Sequence, residues 1–334
     1  MTSSDLSKLA KTPPPPFKPS WWLRGRHLQT LWPTVARRVA HPPGVAEWFT
    51  LPDGDDIRLW WCGGSGEPLV VLLHGLEGSA NSNYIRGLAH QLALRNWRVV
   101  VMHFRGCAGI PNRRDRGYHS GDTGDIDALI QSLKARWPQA PLFVVGFSLG
   151  GNMLLKWLGE KGEAAPINAA CAISVPFLLD RCADQMGRGF SRFYQWWLVR
   201  SMRASVTAKF AGRTDPPIKF DHLTDTSSFW EFDDAVTAPL HGFDGVKDYY
   251  TRSSSRQFLK NIARPTLIVH SRDDPFMTPD VIPSPDEVSP SVELQITKRG
   301  GHVGFISGSM PGRHRYWLEE RIPSFFTPHL WISP

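Results

Sequence analysis

Leu142-Phe143-Val144-Val145-Gly146-Phe147-Ser148-Leu149-Gly150 joins an apolar run to a G-x-S-x-G pattern, and a helix-like stretch, Asn152-Met153-Leu154-Leu155-Lys156-Trp157-Leu158, follows at once. An apolar run without alternation suits a strand buried on both faces. A serine on a tight strand-to-helix turn is held with its hydroxyl above the strand ends. Glycines on either side leave room for the turn, and the new helix points its N-terminal dipole at the nucleophile. Three fixed letters recur by chance in unrelated chains, so the strand before and the helix after give this match its weight. The stretch reads as a nucleophile elbow carrying Ser148.

Outward from the elbow, strand-like and helix-like segments alternate, which predicts an α/β fold with a mostly parallel sheet and helices on both faces. Residues 46–50 and 57–62, separated by Pro52-Asp53-Gly54, read as an opening antiparallel hairpin. Further strands are expected at 69–73, 98–104, 169–175, 266–270 and 292–296, and helices at 84–95, 123–136 and 251–262. Residues 176–250 break this rhythm: rich in aromatics, arginine and short polar clusters, they fit a helical lid inserted into one catalytic domain spanning 46–334. Residues 1–45 are expected to form an arm whose Trp21, Trp22, Leu28, Leu31 and Trp32 pack against the sheet.

Composition narrows the class. The 334 residues are 41% hydrophobic and 21% charged, with a mean hydropathy of -0.27, and no stretch approaches the roughly 20 apolar residues of a membrane span. Residues 1–19 are polar and then proline-rich, which does not read as a signal peptide. Cys62, Cys107, Cys171 and Cys182 show no paired spacing and no histidine at metal-ligand intervals. They read as thiols of a reducing, cytoplasmic protein without a metal. The net charge of +7 is spread over short arginine groups, not a stripe, which speaks against nucleic acid. The bland reading of these groups is a solvated surface. For Arg188, Arg192, Arg200 and Arg203, interleaved with Phe190, Phe193, Tyr194, Trp196, Trp197 and Leu198, the sharper reading is weak peripheral attraction to anionic lipid headgroups.

Attack on an ester carbonyl needs a base for the serine proton and donors for the developing oxyanion. His302, in Gly300-Gly301-His302-Val303-Gly304 just past the last strand, supplies the base. The acid belongs after the preceding strand, where Ser271-Arg272-Asp273-Asp274-Pro275 offers two aspartates. Asp274, directly before the proline, is favoured over Asp273. The oxyanion loop is His74-Gly75-Leu76-Glu77-Gly78, whose Leu76 N–H would converge with the Leu149 N–H on one point.

These residues resemble a family as well as a chemistry. The chain is similar over nearly its whole length to α/β-hydrolase family 4, the YheT-like hydrolases. The resemblance rests on His27-Leu28-Gln29-Thr30, Leu73-His74-Gly75-Leu76-Glu77-Gly78, Phe104-Arg105-Gly106-Cys107-Ala108-Gly109, Pro111-Asn112-Arg113 and Tyr118-His119-Ser120-Gly121. It continues through Gly146-Phe147-Ser148-Leu149-Gly150-Gly151-Asn152, a spaced set from Asp233 through Gly242-Phe243 and Asp248-Tyr249-Tyr250 to Asp273-Asp274, and Gly301-His302-Val303-Gly304-Phe305. It implies the α/β-hydrolase fold and a Ser148-Asp274-His302 carboxylic ester hydrolase with no metal or organic cofactor. The implied substrates are medium-chain esters, acylglycerols and phospholipids.

The leading reading is hydrolysis of a small-molecule ester with a short or medium acyl chain through an acyl-enzyme on Ser148. The aromatic-rich insertion favours an apolar acyl group, with Trp196 and Trp197 either at the mouth of the acyl pocket or packing the lid on the core. Capture of the acyl group by an alcohol, making an acyltransferase, uses the same residues. A non-catalytic lipid binder would have no need to keep all three catalytic residues.

Overall fold

The computed structural model describes residues 16–40 and 42–330. The proline-rich start seen in the sequence therefore lies mostly outside the described residues. Eight strands form one sheet: β1 (Gly44–Thr50), β2 (Asp56–Gly63), β3 (Gly66–Leu73), β4 (Trp97–Met102), β5 (Leu142–Phe147), β6 (Ala169–Ile173), β7 (Thr266–Ser271) and β8 (Val292–Thr297). Their spatial order is β1-β2-β4-β3-β5-β6-β7-β8. The opening hairpin pairs antiparallel, β2 runs antiparallel to β4, and every pairing from β4 to β8 is parallel.

The apolar runs are the inner strands: every residue of β5, β6 and β7 is buried. Strand β8 is mostly half-buried because it forms the sheet edge. Helices α1 (Arg26–Val35), α2 (Asn83–Ala93), α3 (Gly124–Arg136), α4 (Leu149–Lys161), α5 (Leu179–Met186), α6 (Ser191–Phe210), α7 (Val246–Ser253) and α8 (Leu318–Phe326) supply the covering layers. Leu129, Leu133, Leu154 and Leu158 of α3 and α4 pack on one face of the sheet. Ile85 and Leu88 of α2, with Ile322 and Phe326 of α8, pack on the other. Among the described residues no helix is long and apolar enough to cross a membrane.

The chain leaves β3 for β4 on one side, and the next connection, from β4, crosses back to β5 on the other side of β3. Parallel sheets open a crevice at the carboxyl ends of the strands where the order reverses. The loops after β3, β5, β7 and β8 all leave from that end.

Between β6 and β7 the chain forms helices α5, α6 and α7 with shorter turns, including a π-helical turn at Asp233–Thr237. The helix expected at 251–262 is instead the end of α7 followed by the 3-10 segment Ser255–Asn261. The arm also departs from expectation. Trp22 and Trp32 meet edge-on at 4.9 Å, but Trp21 and Leu28 are 60% and 52% exposed. Helix α1 turns Gln29 and Pro33 inward instead. The Gln29 amide is the reason: its Nε2 donates to the Leu23 and Ile306 carbonyls, and its Oε1 accepts the Ile306 N–H.

Candidate active site

Ser148 sits between β5 and α4 with φ 52, a left-handed conformation uncommon for a residue with a side chain. A Cβ on Gly146 would fall 2.4 Å from the Gly150 carbonyl oxygen, so only glycine permits the turn. The loop after β3 lies against the serine, since a Cβ on Gly75 would meet the Ser148 Cβ at 3.3 Å.

The three residues from separate strand ends come together in one line. Ser148 Oγ is 3.0 Å from His302 Nε2, and His302 Nδ1 is 2.8 Å from Asp274 Oδ2. Asp274 is 2% exposed, and its other oxygen accepts the Phe276 N–H at 2.9 Å. Asp273 points elsewhere: its Oδ1 accepts the Gly301 N–H at 3.0 Å and so steadies the loop that carries His302. With Nδ1–H donated to a carboxylate, Nε2 is left as an acceptor for the serine proton.

The histidine loop is held from several sides. The His302 N–H donates to Thr30 Oγ1 at 2.9 Å, the Val303 N–H to Ser174 Oγ at 3.0 Å, and the Phe276 ring stacks on the imidazole at 4.0 Å. Helix α1 comes so close that a Cβ on Gly304 would lie 2.2 Å from the Gln29 carbonyl oxygen. The arm's Gln29 and Thr30 therefore support the catalytic-type loop, a role the sequence reading did not assign. Ser174, Val303 and Phe305 all have positive φ, so strain gathers around this histidine.

The loop after β3 is braced by a neutral histidine. His74 Nδ1–H donates to the Gly75 carbonyl at 2.7 Å while Nε2 accepts the Phe104 N–H, and burial lowers its pKa to about 3. Glu77, at φ 53, is the hub of this region. Its N–H donates to Tyr118 Oη at 2.9 Å, and Tyr118 Oη donates to its Oε1 at 2.9 Å. Its Oε2 accepts the hydroxyls of Ser201 and Ser205 on α6 at 2.9 and 2.7 Å. The motif was visible in sequence, but its partners on α6 are 124 and 128 positions away.

A cavity of about 470 Å³ opens on Ser148, with Leu76 and Leu149 in its lining. Leu198, Met202 and Val206 of α6, with Phe232, Val236 and Leu240, give it an apolar wall. Trp196 and Trp197 neither line the cavity nor pack on the core: they are 50% and 62% exposed. The spacing of α6 explains it, because the cavity-facing positions 198, 202 and 206 leave 193, 196, 197 and 200 on the opposite side. The four cysteines are free, and burial raises the thiol pKa of each, Cys62 to about 12.

Residues 68–309 match the model of the alpha/beta hydrolase fold. The chain belongs to that family. It is 41% identical over 99% of its length to "Putative esterase YheT" of Escherichia coli (strain K12), covering 98% of that protein, which makes it a YheT-like esterase of the family. It is 30% identical over 89% of its length to phospholipase ABHD3 of Homo sapiens, covering 75% of that protein. Medium-chain fatty acid ethyl ester synthase/esterase 2 of Saccharomyces cerevisiae is 32% identical over 78% of this chain and 62% of its own length. Among solved structures, the Pyrococcus furiosus esterase Pf2001 superposes with a TM-score of 0.56 over 88% of this chain and all of its own, at 17% identity, a likeness of fold.

Proposed function

We propose that this esterase hydrolyses carboxylic esters with a short or medium acyl chain, acylglycerols among them, through an acyl-enzyme on Ser148. The hydrogen-bonded line from Ser148 through His302 to Asp274 carries the proposal. Ser148 Oγ attacks the ester carbonyl carbon while His302 Nε2 takes the hydroxyl proton, and the buried Asp274 carboxylate stabilises the imidazolium. The Leu76 and Leu149 N–H groups receive the oxyanion, each such donor contributing ~2.7 to 4 kcal/mol. As the tetrahedral adduct collapses, the imidazolium returns its proton to the leaving alkoxide and the alcohol departs. Water, deprotonated by the same imidazole, then attacks the acyl carbonyl and frees the acid and the Ser148 hydroxyl.

The apolar wall formed by Leu198, Met202, Val206, Phe232 and Val236 suits an acyl chain, since a polar group placed there would lose its hydration without a partner. Alcoholysis is the second reading, favoured by the synthase/esterase name of the yeast relative. A fluorophosphonate probe is expected to label Ser148, and Ser148→Ala to abolish both labelling and turnover of p-nitrophenyl esters from two to sixteen carbons. Undiminished turnover by the alanine variant would end the serine-hydrolase reading. With ethanol added, the ratio of ethyl ester to free acid separates transfer from hydrolysis.

A further inference from the structure

The insertion carries an outward face that the chemistry of the cavity does not use. Phe190, Phe193, Trp196 and Trp197 are 52%, 46%, 50% and 62% exposed, an unusual density of large rings in contact with water. They form a chain of rings, Phe190 to Phe193 at 5.8 Å, Phe193 to Trp196 at 6.1 Å and Trp196 to Trp197 at 6.4 Å. The chain is anchored at one end, where Phe190 meets His27 at 4.5 Å and Phe190 and Phe193 meet Tyr194. From Asp184 to Asp215 the chain holds no carboxylate between these two, while Arg188, Arg192, Arg200, Arg203, Lys209 and Arg213 all lie inside the interval. Arg213 is paired with Asp115, and Lys209 is bound by the oxygens of Asn112 and Arg114. Arg188, Arg192 and Arg200 are exposed and, among the described residues, pair with no carboxylate, and the Arg200 guanidinium lies 5.6 Å from the Trp196 ring centroid.

We infer that this face of α6 and the turn before it docks on a lipid surface bearing anionic headgroups. Indole and phenyl rings flanked by arginines match the interfacial zone of a bilayer, where rings reach the acyl boundary while guanidinium groups meet phosphates. Charge complementarity selects this occupant over a second copy of the chain. A twofold contact through the same face would bring the unpaired arginines of two molecules together with no acid to offset them. Docking sets the helix whose inner side lines the cavity directly on the bilayer, so an ester leaving the membrane has a short path to Ser148.

The test is flotation with vesicles of pure phosphatidylcholine and of phosphatidylcholine mixed with phosphatidylglycerol, using the full chain. Wild type is expected to float with the anionic vesicles, to float far less with the neutral ones, and to be released by salt. Trp196→Ser with Trp197→Ser, and separately Arg192→Gln with Arg200→Gln, should each weaken anionic-vesicle binding at least about tenfold. None of these four side chains lines the cavity, so hydrolysis of a soluble short-chain ester and the melting temperature should stay at the wild-type values. Equal binding by wild type and both variants would overturn the inference. So would failure of the wild type to bind anionic vesicles, or a dimer in light scattering that the tryptophan variant abolishes while no vesicle binding occurs.

Discussion

Asp274→Asn tests the site most sharply because its neighbour is a built-in control. The carboxylate accepts twice, from His302 Nδ1–H at 2.8 Å and from the Phe276 N–H at 2.9 Å. A carboxamide can keep only one of these with its oxygen. If the oxygen stays on Phe276, the NH₂ faces Nδ1, which must then accept, and the ring proton moves to Nε2. Nε2 can no longer take the Ser148 proton. In a serine-protease triad this swap lowers kcat by ~10⁴, about 5.4 kcal/mol at 1.36 kcal/mol per tenfold. Asp273→Asn keeps an oxygen for the Gly301 N–H, so the expected loss is about 1 kcal/mol or less, under about tenfold. The assay is kcat and kcat/KM on one p-nitrophenyl ester at neutral pH, with melting temperatures recorded for both variants. A severe loss in Asp273→Asn beside near wild-type activity in Asp274→Asn would refute the argument from hydrogen-bond direction.

Glu77→Gln removes a carboxylate that accepts three hydroxyls, and the resulting drift of the Leu76 N–H is expected to lower kcat roughly 10²-fold with a smaller change in KM; unchanged kcat would show that α6 and Tyr118 hold the loop without it. Met202→Ala should enlarge the apolar wall and move the preferred acyl length upward, read from an ester panel; an unmoved preference would place the acyl chain elsewhere. Asp233 is buried, and burial raises its pKa from 3.8 to about 6 despite hydrogen bonds from Thr237 and Tyr250. The folded state thus holds that proton more tightly than the unfolded chain, so its contribution to stability is lost as pH rises from about 4 through about 6. Asp233→Asn should flatten the fall in melting temperature over that window, and parallel curves for the two proteins would contradict it.

What the sequence revealed most clearly was what short-range chemistry encodes. An apolar strand, a glycine-flanked serine and a new helix are consecutive residues, so the elbow could be recognised without knowing any distant contact. The same holds for the strand ends that carry Asp274 and His302, because chain order through a parallel sheet leaves the turns after β5, β7 and β8 at one end. The aspartate pair was harder. Direction within a loop depends on which N–H groups the fold brings near, and Asp273 meets that of Gly301, from a distant loop, while Asp274 meets that of Phe276, two residues on.

The insertion was least legible, for a reason visible in α6. Its apolar residues occupy both sides of the helix: Leu198, Met202 and Val206 toward the cavity, Phe193, Trp196 and Trp197 toward solvent. A helix with apolar residues on two opposite sides gives no single period from which burial can be read, so Trp196 and Trp197 could be placed at the pocket mouth or in the core with equal logic. The arginines resolve what the rings leave open. Arg192 and Arg200 lie exposed beside the outward rings, the cavity-facing positions 198, 202 and 206 carry no arginine, and Arg203 reaches the Thr226 carbonyl. Long cations hold their heads in a polar medium, so their positions mark the side of α6 that meets water or headgroups. The hydroxyls of Ser201 and Ser205 mark another edge, the one tied to Glu77 and the loop after β3. One helix thus joins three surfaces, and its start is also tied to the acid loop, where Ser191 Oγ donates to the Pro275 carbonyl and the Tyr194 ring meets the Phe276 ring that stacks on His302. A force that shifts α6 from outside, such as contact with a bilayer, would therefore reach both Glu77 and the loop that carries Asp274.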